Sequence, residues 1–84
     1  MEMVLKLPSK VKQWSERMVS AGAPFVQLET TVAEYDRVAV VDENEKNITV
    51  EYPRSKGEGS RMEWSIRRDI VPRREVVSMR EYVS

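Results

Sequence analysis

Between residues 9 and 21 the apolar side chains fall at helical spacing. Val11, Trp14 and Met18 stand at i, i+3 and i+7, with Ala21 a turn further on, while Lys10, Lys12, Gln13, Glu16 and Arg17 lie away from that stripe. Pro8 stops whatever precedes it, Ser9 is placed to cap the first free amides, and Gly22 followed by Pro24 ends the run. The spacing predicts a helix over 9–21. Ahead of it, Met3, Val4, Leu5 and Leu7 read as a short lead-in strand or a packing arm. At Phe25 the period changes to two. Val26, Leu28, Thr30 and Val32 share one strand face, and Gln27, Glu29 and Thr31 the other.

The alternation continues downstream. Ala33 to Asp36 reads as a turn, and RVAVVD (37–42) as a second strand, apolar on both faces and so central or covered by the helix. Glu43 to Lys46 makes a polar hairpin connection. NITVEYP (47–53) points Ile48, Val50 and Tyr52 inward, with Thr49 and Glu51 outward. RSKGEGS (54–60) is the one stretch with the composition of a flexible loop. RMEWSIR (61–67) then puts Met62, Trp64 and Ile66 on one face. Asp69-Ile70-Val71-Pro72 reads as a tight turn, and residues 74–83 fit either period, with a short strand near 75–79 favoured over a helix.

Composition supports strands: 13 residues are Val and three are Leu. An 84-residue chain forms one domain, here an arm and helix (1–24) followed by antiparallel strands (25–84). The predicted class is mainly β (α+β), with the helix on a small, strongly bent antiparallel sheet or five-stranded barrel. The helix would plug one open end of a barrel or, without closure, lie across one face of the sheet.

From about Tyr35 to residue 80, RVAVVDENEKNITVEY as a first hairpin, RMEWSIRRD as a third strand and DIVP leading into REVVS resemble the small barrels of the Tudor and KOW kind. Such barrels often bind nucleic acid or ribonucleoprotein partners through their loops, and that is what the resemblance implies here.

The chain contains neither His nor Cys. Imidazole bases, thiolate nucleophiles, disulfides and the usual zinc and iron–sulfur sites are therefore excluded, and a non-enzymatic module without a cofactor is expected. No segment has the roughly 20 apolar residues of a membrane helix, and the start lacks the pattern of a secretory signal. A cytoplasmic location is the matching expectation, and Asn47-Ile48-Thr49 is then an accidental glycosylation sequon. Charged residues make up 33%, with Arg exceeding Lys and Glu exceeding Asp, a balance suited to a heat-adapted protein.

Net charge is zero, from 14 basic and 14 acidic residues, but its distribution is uneven. Residues 29–51 hold seven acidic and two basic side chains, and residues 52–84 eight basic and five acidic. Polarity of this kind steers a partner or favours self-association. The candidate nucleic-acid contacts are Arg54, Lys56 and Arg61 around the glycine loop and Arg67, Arg68, Arg73 and Arg74 around DIVP, since guanidinium binds phosphate bidentately. The competing explanation is a solvated face laced with Glu58, Glu63, Asp69 and Glu75. RNA or DNA is the first partner class. A protein partner or a homo-oligomer, without nucleic acid, is the second. Tyr35, Tyr52 and Trp64 fit core packing better than an aromatic cage, and Asp42, Glu43 and Glu45 lack the spacing of a calcium loop.

Overall fold

Pro8 has extended backbone (φ −55°, ψ 148°), so helix α1 begins at Ser9 and runs to Ala21. Pro8 therefore takes the cap position expected of Ser9. No side chain caps the helix, and the carbonyl of Pro8 accepts from the Lys12 amide at 3.0 Å. At the other end Gly22 takes φ 73°, a left-handed conformation that costs glycine nothing. The Ala23 amide donates to Met18 and the Gly22 amide to Val19, the paired bonds of a Schellman motif.

The computed structural model describes residues 8–82; the expected arm over 1–7 and the end of the tail at 83–84 lie outside them. After α1 come strands β1 (Phe25–Thr30), β2 (Glu34–Glu43), β3 (Asn47–Lys56), β4 (Glu63–Pro72) and β5 (Val76–Glu81), with short 3-10 turns at Gly59–Arg61 and Arg73–Glu75. They form one antiparallel sheet in the order β4-β3-β2-β1-β5. The sheet is not closed, so the open form is the one adopted.

Alternation gives the sheet two apolar faces. One gathers Val26, Leu28, Val38, Ile48, Val50 and Val71, with Tyr35, Val40, Tyr52 and Val76 around them. The other is covered by α1, whose Trp14 and Met18 pack on Ala39, flanked by Phe25, Val41 and Ile66. Burying Val11, Trp14 and Met18 contributes about 1.5–3 kcal/mol each, which holds the helix to the sheet. The double-sided apolar pattern of 37–42 is thus explained by a core on each face of β2.

Several boundaries differ from those expected, each for a local reason. β1 stops at Thr30, because its hydroxyl accepts from the amides of Val32 (3.3 Å) and Ala33 (2.9 Å) and turns the chain; Val32 is left 80% exposed. RSKGEGS is not a loop throughout: Arg54 to Lys56 continue β3, and the chain reverses at Gly57, where φ is 101°. DIVP is not a turn. It is the end of β4, with Asp69, Ile70, Val71 and Pro72 paired to Val50, Thr49, Ile48 and Asn47. Pro72 is tolerated because it ends the strand, and the reversal falls at Arg73–Glu75. Residues 76–81 form a strand rather than a helix.

Candidate nucleic-acid interface

β3 and β4 pair over ten consecutive positions without a bulge, so their side chains alternate strictly between the two faces. Val50 and Tyr52 face the first core, and Arg54 and Lys56 follow at the same parity. Across the ladder, Arg67 stands opposite Tyr52, Ser65 opposite Arg54 and Glu63 opposite Lys56. Arg54, Lys56 and Arg67 therefore share one face where the hairpin extends past the core, and all three are exposed. The nearness of the Arg67 and Arg54 charges also acts on the Tyr52 hydroxyl, opposing the rise in its pKa. Arg61, in the 3-10 turn at the hairpin's end, is exposed beside them.

The other three candidates do not join this group. Arg68 has the opposite parity and lies on the helix face. Its Nε and Nη2 donate to Glu51 Oε2 at 3.0 and 2.6 Å. Arg73 donates to the Asn44 carbonyl at 2.6 Å and pairs with Glu43 at 3.2 Å. Arg73 and exposed Arg74 follow the Pro72 end of the ladder, about 23 Å from the Arg54–Ser65 pair at 3.3 Å per residue. Among the described residues, only Arg68 and Arg73 of the seven form ion pairs within 4.0 Å. The basic C-terminal stretch is thus spent partly on the acidic one: Arg73 partly neutralises the 42–45 hairpin, and Arg68 neutralises Glu51.

Two polar centres escaped the sequence reading. Glu51, expected outward, is 8% exposed beneath α1 and accepts from Trp14 Nε1 at 3.1 Å as well as from Arg68. Burial alone would raise its pKa, but the bonds from Arg68 and Trp14 prevail and hold it below the usual carboxylate value. Its burial follows from pairing, which the sequence pattern does not specify: Glu51 stands opposite Ala39 on the face of β2 that α1 covers. On the opposite face Asp69 Oδ2 accepts from Tyr35 at 3.0 Å and from Tyr52 at 2.8 Å. Burial, then the Asp69 hydrogen bond, pushes Tyr35 up to about 12, and the same causes raise Tyr52.

This settles how the aromatic residues are arranged. Tyr35 and Tyr52 meet edge to face at 5.5 Å with both hydroxyls bound to Asp69, while Trp64, two positions from Ile66, belongs to the helix face. The three do not form a cage. Asp42 accepts from the Glu43 amide, Glu43 is paired with Arg73, and among the described residues no group of three or more acidic side chains is arranged to hold a metal ion. No helix among those residues is long and apolar enough to cross a membrane. Compared with known proteins, the chain matches no family model, no curated protein and no solved structure.

Proposed function

We propose that the chain is a small non-enzymatic binding module that contacts the backbone of RNA or DNA through Arg54, Lys56 and Arg67. One observation carries this: three exposed cations lie on one face of a regular β-hairpin, and none is neutralised by an ion pair among the described residues. A row of cations at strand spacing follows a phosphate backbone, and Arg61 extends it at the hairpin's end. The exposed row offers phosphate contacts, so the binding is governed by charge and largely indifferent to sequence. The small-barrel resemblance of residues 35–80 points the same way, because Tudor- and KOW-like modules often bind nucleic acid or ribonucleoprotein partners through their loops.

Fluorescence anisotropy with a labelled single strand of each nucleic acid tests this at low salt. Replacing Arg54 and Arg67 with Gln is expected to weaken binding several-fold. Replacing Arg73 and Arg74 with Gln, at the far end of the ladder, is expected to leave it nearly unchanged. Equal losses from the two pairs would refute the assignment to this face.

A further inference from the structure

Among the described residues the open sheet has two unpaired edges: β4 is bonded only to β3, and β5 only to β1. Natural edge strands are usually protected by Pro, Lys, bulges or a covering element. From Glu63 to Val71 β4 contains neither Pro nor Lys and its ladder has no bulge; β5 contains neither residue, and its ladder with β1 is irregular only at its start, where Thr30 pairs with Val76. Both edges also carry exposed apolar side chains among their charged ones. Of the seven exposed large hydrophobic residues among those described, Met62 (45%) and Ile70 (67%) lie on or next to β4. Val77 (59%), Met79 (44%) and Tyr82 (40%) lie on or next to β5. A single small domain gains nothing from such a distribution.

The two flanks differ in charge. Beside β4, Arg54, Lys56, Arg61 and Arg67 outnumber Glu58 and Glu63. Beside β5, Glu29, Glu34, Asp36 and Glu81 outnumber Arg37 and Arg80. Glu29 and Glu34 stand opposite each other in the β1–β2 ladder, and with Asp36 they line a groove that also includes Ser78 and Arg80. Two β4 flanks, or two β5 flanks, would bring like charges together. A β4 flank facing a β5 flank brings opposite ones.

We infer that the protein self-associates head to tail, the β4 edge of one copy adding to the β5 edge of the next. The occupant of each edge is a second copy of this chain. The backbone of the edge strands supplies hydrogen bonds, Met62, Ile70, Val77 and Met79 supply apolar contact, and the flanking charges decide which edges meet. Because the contact is heterologous, it closes into a ring or continues as a filament according to the rotation between copies. It needs no nucleic acid, but its β4 flank uses the same cations, Arg54, Lys56, Arg61 and Arg67, that the proposed function assigns to a phosphate backbone.

Sedimentation of nuclease-treated protein over a range of concentrations tests the inference first. The expected result is a mass that is a multiple of 9.8 kDa. A monomer at every concentration overturns the proposal. Ile70→Lys blocks β4 and Val77→Lys blocks β5, both at exposed positions where the fold tolerates a charge. Each variant alone is expected to be a monomer, and an equimolar mixture a dimer, since one open edge of each kind remains. Oligomers that persist in both variants, or a mixture that stays monomeric although both variants melt like the parent, overturn the head-to-tail arrangement. Should a substitution unfold the chain, amide exchange on the unaltered protein replaces it. Protection of β4 and β5 should rise with concentration, and protection that does not change refutes the contact.

Discussion

Replacing Glu51 with Ala removes the acceptor that ties α1 to the sheet, and its cost can be worked from the structure. Trp14 is 4% exposed and donates Nε1–H to Glu51 at 3.1 Å. Without that oxygen the indole N–H is buried and unsatisfied, which costs about 1–3 kcal/mol. The two bonds from Arg68 are lost as well. The Arg68 side chain is 66% exposed and regains water, so this loss adds only about 0.5 kcal/mol. The total is about 1.5–3.5 kcal/mol, or about 6–28 °C in Tm for a domain of this size. Thermal unfolding followed by circular dichroism measures it. The decisive comparison is a cycle with Trp14→Phe, which keeps an aromatic ring but has no N–H to orphan. Glu51→Ala should cost at least 1 kcal/mol less in that background, by the penalty for the unsatisfied donor. Additivity within about 0.3 kcal/mol would refute the reasoning. The pH dependence follows from the same contacts. The Glu51 pKa is lowered on folding, so its stabilisation is fully present above the unfolded value of about 4.5 and is lost as pH falls through the lower, folded value. Glu51→Gln should flatten that acid limb.

Other substitutions probe the remaining contacts. Tyr35 is raised from 10.0 to about 12 on folding, so its stabilisation is complete below pH 10 and lost as pH rises toward 12; a phenolate absorbance titration should show the late midpoint, and Tyr35→Phe should blunt the alkaline loss of stability. Ile48 is 1% exposed, and Ile48→Ala should cost about 2–5 kcal/mol in denaturant melts. Gly57 has φ 101°, and an added Cβ would lie 2.6 Å from the Arg61 carbonyl oxygen, so Gly57→Ala should cost about 1–3 kcal/mol and speed amide exchange at Arg61 and Met62.

The helix and most strands were legible because each carries its period without interruption. Val11, Trp14 and Met18 mark α1 by spacing alone, and Gly22 marks its end by the conformation it must adopt. Legibility ended where one residue serves two structures. Asp69 and Pro72 have turn chemistry, yet Asp69 is held in β4 by two tyrosine hydroxyls and Pro72 needs only a strand's last position. Glu51 looked solvent-facing because alternation says which residues share a face and not whether that face is covered. The seven candidate cations are close in sequence but divided by parity and by the length of the β3–β4 ladder. Arg67 and Arg68 are neighbours in the chain and lie on opposite faces. Only pairing partners, which one sequence does not specify, separate the exposed row from the neutralised residues.

The salt dependence of nucleic-acid binding tests the central claim most directly. Three phosphate contacts predict that log K falls against log salt with a slope of roughly −2 for a single strand. Replacing Arg54, Lys56 and Arg67 with Gln should remove that slope, leaving at most the roughly −0.7 of one contact from Arg61. Absence of binding at low salt, or a slope unchanged by the triple substitution, would contradict the assignment of this face to nucleic acid.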